Sequence, residues 1–240
     1  MSLEMTLYVS GVTWLAASLQ GVTGVGFMIL SVPGLILVLP AQVVVPGVIL
    51  LYLPLGTVQV LQLLGDVDWR RLAYLIGSAA VGLPLGAVIL RVTDTETMQQ
   101  VIGGIMLGLA FLLQVKPGPP FRRERIAWVG VGLISGVLAA STSVSGPPVV
   151  LLALKQRLEP SRIRATLLAY FVSLSLCSLP LYWKMDLLKQ ASLELALSGL
   201  PGVILGYVTG TWLRGRVREK WFQRVALGVV VGGGLVAVFF

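Results

Sequence analysis

Charged residues divide this chain into long apolar stretches. Seven stretches carry no charged side chain: 5–65, 72–90, 97–115, 126–154, 165–183, 195–213 and 225–240. A helix that crosses a hydrocarbon core of ~30 Å needs roughly 20 residues at a rise of 1.5 Å each. The stretches of about 19 residues therefore each predict one transmembrane helix.

Two of the longer stretches are interrupted by glycine, proline and hydroxyl side chains. Residues 126–154 are too many for one span and too few for two, and they are interrupted at 141–148, where the sequence reads Ser-Thr-Ser-Val-Ser-Gly-Pro-Pro. Two helices of about 14 residues, each roughly 21 Å long, are expected to meet inside the membrane at this break. Residues 5–65 divide at Pro40 into a full span, about 41–64, and a preceding segment that is broken at 21–26.

The two halves of the chain align with each other. Setting Gly21 on Gly136 brings Pro33 onto Pro148, and small shifts match Pro40 with Pro160, Leu83-Pro84 with Leu200-Pro201, and Gly82/Gly86 with Gly206/Gly210. The alignment predicts an internal duplication with repeats at 1–118 and 119–240, although recurrence of glycine and proline by composition alone is the alternative. Both Gly-x-x-x-Gly pairs are expected to let helices pack closely.

The distribution of basic residues orients the chain in a bilayer. If each broken segment crossed the membrane once, the eighteen Lys and Arg residues would divide almost evenly. If each broken segment instead returns to its own side, fifteen face the cytoplasm and three, Arg91, Lys184 and Lys189, lie outside. The excess of basic residues in cytoplasmic loops favours the second arrangement. The predicted fold is thus an all-α polytopic membrane protein with both termini outside and two inverted repeats, each a broken re-entrant helical hairpin plus three transmembrane helices.

Composition excludes most other classes of protein. Hydrophobic residues make up 56% of the chain and charged residues 12%, and the mean hydropathy is +0.92. Charges are too few for a soluble enzyme or a nucleic-acid binder. With one cysteine and no histidine, the chain offers no disulfide, no Cys/His metal site and no haem ligation. No nucleophile–base or paired-carboxylate arrangement is apparent, so we expect neither an enzyme nor a cofactor.

The two breaks are the candidate binding sites. Backbone that leaves the helix at membrane depth must line a cavity or be covered by protein, and the N-terminus of a half-helix can hold an anion. The residues expected to surround the anion at the midplane are Thr23, Gly24, Gly26 and Ser31 in the first repeat and Ser141, Thr142, Ser143, Ser145 and Gly146 in the second. Gln59 and Tyr170 follow their breaks at comparable distances and either line the cavity or form interhelical hydrogen bonds.

The residues of the second half resemble a known family, the TauE/SafE sulfite exporters. The resemblance is carried by Ser135-Gly136, the run 141–151, Arg162, the run 164–167 and Tyr170-Phe171; in the first half it is carried by 21–26 and Pro33. The family's commoner glycine triplet is replaced here by Gly24-Val25-Gly26-Phe27. The resemblance implies a multi-pass inner-membrane transporter for sulfite, sulfonates such as sulfoacetate, or related sulfur-containing anions.

Two further classes stay open from the residues alone. An anion or small-solute channel of aquaporin-like architecture would have the same length and an inverted repeat, although the paired Asn-Pro-Ala signatures are missing. A structural membrane protein would also lack buried charges. For a transporter, the residues leave open whether H⁺, Na⁺ or neither is coupled to the anion.

Overall fold

The computed structural model describes residues 1–24, 26–112, 119–214 and 216, and these residues fold entirely into helices and their connections. The helices are α1 Leu3–Thr23, α2 Phe27–Ile36, α3 Ala41–Leu61, α4 Trp69–Val92, α5 Thr95–Leu112, α6 Glu124–Thr142, α7 Gly146–Lys155, α8 Pro160–Lys184 and α9 Gln190–Leu213; a single 3₁₀ turn covers Leu64–Asp66. The predicted last span, 225–240, lies outside the described residues.

Five of these helices are long and apolar enough to cross a membrane. They are α3, α4, α6, α8 and α9. Many apolar side chains on them are exposed, as lipid-facing helices require, and the chain is therefore a multi-pass membrane protein. The prediction of an all-helical polytopic protein is confirmed.

The packing of the helices follows a pattern that occurs twice. Helix α1 lies along α9, α4 lies along α6, and α3 packs against α8 between these pairs. In the α4–α6 seam, a side chain at Gly82 or Gly86 would run into the backbone carbonyl of Leu133 or Val137. Gly206 and Gly210 meet the backbone of α1 in the same way. The expectation that both glycine pairs pack helices closely is confirmed.

Each short helix folds back along the long helix that precedes it. The Tyr8 hydroxyl donates to the carbonyl of Gly34 at 2.7 Å, which fixes α2 against α1. In the second hairpin, the Lys155 ammonium lies 3.8 Å from the centre of the Phe121 ring, so the chain returns to the end where α6 begins. Both broken segments are therefore helical hairpins.

The arms of the second hairpin are unequal, with 19 and 10 residues, instead of two helices of about 14. The reason is local. Ser141 and Thr142 stay helical, with their hydroxyls bonded to carbonyls one turn back, so α6 continues to Thr142. Ser143 then adopts a left-handed φ of 59°, and the prolines at 147 and 148 fit only the first turn of the helix that follows.

The bundle has two ends, here named the Met1 end and the Arg71 end. At the Met1 end, the terminal amino group pairs with Glu194 at 3.3 Å. At the Arg71 end, the Arg71 guanidinium pairs with Glu124 at 2.7 Å, which joins the starts of α4 and α6. Since α1 runs from the Met1 end and α6 from the Arg71 end, the two breaks lie toward opposite ends of the bundle.

Candidate functional site

The first break has glycines where the chain leaves α1. Gly24 and Gly26 have φ angles of 84° and 130°, which residues other than glycine rarely adopt. A side chain at Gly24 would occupy the space of the Arg164 guanidinium, which packs against this turn from the start of α8. Arg214 donates from Nε and Nη2 to the carbonyl of Gly21 at 3.0 and 2.7 Å. The carbonyl end of α1 is thus covered by two arginines from the second half of the chain.

The interior of the first break is filled by two glutamines. The Gln20 amide donates to the Gly24 carbonyl at 2.9 Å and to the Gln59 amide oxygen at 2.7 Å, and its own oxygen accepts from the N–H of Phe27 at 3.0 Å. The N-terminus of α2 is therefore already capped by protein. Gln59 forms an interhelical hydrogen bond here, one of the two roles expected of it. Gln20 was not among the predicted site residues, although an amide side chain within an apolar stretch stands out in the sequence.

At the second break, the carbonyl groups that end α6 already have donors. Thr142 Oγ1 donates to Leu138 O at 2.8 Å, the Ser143 N–H donates to Ala139 O at 3.0 Å, and the Tyr182 hydroxyl donates to Ala140 O at 2.9 Å. The negative end of the α6 dipole is therefore compensated by protein groups.

At the start of α7, the first backbone N–H groups donate to no other group among the described residues. Pro147 and Pro148 have no N–H, so Ser145 and Gly146 supply the first backbone donors of the helix. The side chain of Ser145, at the N-cap position, makes no capping hydrogen bond among the described residues. This helix terminus carries a partial positive charge of roughly half a unit and can accept an anion.

A small cavity lies beside the start of α7, near the middle of α3 and α8. It has about 10 Å³ of space for the centre of a water molecule, which is the lower limit for holding one water. Its walls come from both hairpins and both central helices: Met28, Ile49, Ala139, Ser143, Ser145, Phe171, Leu174, Ser175 and Ser178.

Two serines of α8 that line this cavity have buried hydroxyls. Ser175 and Ser178 are 1% and 0% exposed, and their hydroxyl oxygens have no hydrogen-bond partner within the described part of the chain. Within the described part of the chain, the Ser143 hydroxyl makes one hydrogen bond, a long one of 3.4 Å to the Val45 carbonyl. A buried hydroxyl without a partner costs ~1–3 kcal/mol, so these groups are available to a polar ligand.

The structure brings only some of the expected site residues together. Ser143 and Ser145 line the cavity, and Gly146 lies beside its Phe171 wall. The other eight lie elsewhere: Ser141 and Thr142 at the same break with hydroxyls bonded to their own helix, Tyr170 with its hydroxyl beside Ser135, Ser31 buried in α2, and Thr23, Gly24, Gly26 and Gln59 at the first break.

The distance between the breaks can be read along α3. The second break contacts α3 at Val45 and the first at Gln59, fourteen residues or about 21 Å apart. Between them, the rings of Phe27, Tyr52 and Phe171 pack with centroid distances of 6.2 and 6.3 Å. An aromatic cluster thus separates the cavity from the arginines of the first break.

Comparison with known proteins gives a consistent result. The family model described as "Sulfite exporter TauE/SafE" matches residues 9–237. A curated protein of Cupriavidus necator, named "Probable sulfite/organosulfonate exporter TauE", is 26% identical over 220 residues, covering 88% of this chain and 84% of that protein. No solved structure matches the chain.

Proposed function

The chain belongs to the TauE/SafE sulfite exporter family, and from this premise we propose that it is a secondary transporter that exports small sulfur-containing anions such as sulfite or organosulfonates. The proposed binding site is the cavity between the two hairpins, near the midplane; in this conformation it has room for one water, so the anion would bind in a state in which the hairpins have moved apart. The family match also supports a transport role rather than an enzymatic one.

One observation carries the site proposal: Ser175 and Ser178 line the cavity beside the start of α7, and their buried hydroxyls have no hydrogen-bond partner among the residues that the structure describes. An –SO₃ group presents three acceptor oxygens, and the residues around the cavity carry hydroxyl and backbone N–H donors. Hydrogen bonds to a charged acceptor are roughly twice as strong as neutral ones, so an anion would offset the cost of the unpaired hydroxyls.

We place the Arg71 end in the cytoplasm and both termini outside, in the inner membrane. Arg71, Arg164 and Arg214 gather at this end, in agreement with the fifteen-to-three division of basic residues. The repeats 1–118 and 119–240 would then be inverted, each with a re-entrant hairpin.

Cysteine labelling from either side of the membrane tests this orientation. Cys177 is replaced first, and single cysteines are then introduced at positions 119, 158 and 188. Positions 119 and 158 should be labelled from the cytoplasm and position 188 from outside. Labelling of 119 and 158 from opposite sides would contradict the hairpin arrangement.

Transport is tested with the full chain in proteoliposomes and labelled sulfite or methanesulfonate, under imposed pH and Na⁺ gradients. A carrier should show saturation and counterflow, and the gradients reveal whether H⁺ or Na⁺ is coupled. Ser178→Ala should reduce the apparent affinity, whereas Ser173→Ala should not, because the Ser173 hydroxyl bonds to its own helix at 2.8 Å. Conduction without counterflow would indicate a channel, and absence of any anion flux would refute the proposal.

A further inference from the structure

We propose that the cavity selects its ligand by charge, admitting singly charged sulfur oxyanions and excluding dianions. The accepted ligands would be hydrogensulfite and alkanesulfonates; sulfite dianion and sulfate would be rejected. This inference rests on the proposed function, since it concerns the same cavity.

The walls of the cavity supply hydrogen bonds but no opposite charge. The polar residues around it are four serines, the start of α7 with its backbone donors lies beside it, and its remaining walls are apolar side chains. None of the described residues that line it is Lys, Arg, Asp or Glu. A bound anion would therefore be balanced only by dipoles, including the partial charge of about half a unit at the helix terminus.

The nearest cations on the central helix α8 are too far away to act as counter-ions. Arg164 precedes Phe171 by seven residues, about 10 Å along the helix, and packs against Gly24 on the far side of the aromatic cluster. Lys184 follows Ser178 by six residues, about 9 Å, and is exposed, where water and salt screen its charge.

Desolvation and hydrogen bonding depend differently on the charge of the ligand. The cost of moving an ion from water into a low-dielectric site grows with the square of its charge, so a dianion costs about four times as much as a monoanion of the same radius. The attraction of fixed dipoles grows only linearly with that charge. A site made of hydroxyls and N–H groups alone therefore favours one charge over two.

Sulfur oxyanions provide probes that separate charge from shape. Sulfite and hydrogensulfite interconvert by one proton near neutral pH. Methanesulfonate carries an –SO₃ group with one charge throughout this range, and sulfate carries two charges on a similar tetrahedral frame. Export of hydrogensulfite would also carry one proton with each sulfite.

Groups of the protein itself add little to the pH dependence of binding. The tyrosines on the helices around the cavity keep their protons below about pH 10. Cys177 on α8 is exposed. The remaining charged groups stand at or near the ends of the helices packed around the cavity: Glu124 and Arg125 on α6, Lys155 on α7, and Arg162, Arg164 and Lys184 on α8.

The experiment measures binding of methanesulfonate, sulfite and sulfate to the full chain in lipid nanodiscs from roughly pH 6 to 9. The affinity for methanesulfonate should stay constant. The dissociation constant for total sulfite should rise about tenfold per pH unit above the pKa of hydrogensulfite, because only the protonated form binds. Sulfate should bind at least about 100-fold more weakly than methanesulfonate. The free energy that corresponds to this ratio is only part of the desolvation cost of burying a second charge.

A cavity variant provides the positive control. Met28→Lys places a cation on the cavity wall and should reduce the ratio of the dissociation constants for sulfate and methanesulfonate, called the gap below, at least about tenfold. Met28→Leu is its matched control and should leave the gap unchanged. An unchanged gap in folded Met28→Lys protein would contradict the charge mechanism; if that variant does not fold, the wild-type series decides alone.

The outcomes separate this inference from the proposed function. If sulfate binds within tenfold of methanesulfonate, or if sulfite affinity is independent of pH, charge selection is wrong while anion transport stands. If none of the three anions binds at any pH, the proposed function fails and this inference fails with it.

Discussion

Removal of one hydroxyl from the cavity should weaken binding of the ligand and increase the stability of the ligand-free protein. Ser178→Ala removes a buried hydroxyl that has no hydrogen-bond partner among the described residues, so the ligand-free protein should gain about 1 kcal/mol of stability, within the ~1–3 kcal/mol that such a group costs. A hydrogen bond to a charged ligand contributes about 1.5–3 kcal/mol, so its loss should raise the dissociation constant roughly 10- to 150-fold. Opposite signs for stability and affinity are unusual for a core substitution.

Two measurements on one preparation check this prediction: thermal unfolding without ligand, and the dissociation constant for methanesulfonate. Ser175→Ala should behave like Ser178→Ala. Ser173→Ala, on the same helix, removes a hydroxyl bonded to its own helix and should leave affinity unchanged. If Ser178→Ala lowers the unfolding temperature and binds methanesulfonate like wild type, the hydroxyl is a packing group and the site assignment is wrong.

Three further predictions concern the framework. Gly86→Leu should destabilise the protein by about 3 kcal/mol or more because its side chain would meet backbone of α6, whereas Gly77→Leu on the open face of α4 should fold; thermal unfolding checks both. Gln59→Leu leaves a buried amide partner unpaired and should cost about 1–3 kcal/mol, while Gln62→Leu at the exposed end of α3 should be nearly neutral in the same assay. Burial raises the pKa of the Asp68 carboxyl, but hydrogen bonds from the backbone N–H and guanidinium of an arginine outweigh this effect and hold the pKa below its ordinary value. The ionised carboxyl therefore stabilises the fold above about pH 4, and this contribution is lost as pH falls through the lowered pKa. Asp68→Asn should remove that loss at acid pH when the free energy of unfolding is measured against pH.

The positions of the breaks could be predicted because the residues there have few other uses. Glycine at 24 and 26 permits the positive φ angles that end α1, and paired prolines at 147 and 148 can only begin a helix. Close packing at the Gly-x-x-x-Gly pairs follows from the same argument, since small residues at helical spacing mark a seam.

The composition of the cavity could not be predicted in this way. Ser175 and Ser178 lie on a continuous helix, where sequence does not distinguish a hydroxyl facing a cavity from one bonded to its own backbone, as in Ser173. The same ambiguity placed Ser141 and Thr142 among the expected ligands, although their hydroxyls bond back to α6. Only the three-dimensional packing decides which acceptors lie within reach.

The exchange of partners between the two halves has a consequence for any attempt to divide the chain. Helix α1 packs on Gly206 and Gly210 of α9, and α6 packs on Gly82 and Gly86 of α4. The groove formed by the glycine pair of each half is therefore filled by the hairpin of the other half. A half made alone would expose its groove to lipid, and two identical halves could close the grooves only by inserting head to tail. These exchanged contacts hold the two halves together, and a chain divided between positions 112 and 119 should give fragments that assemble when made together and fail when made apart.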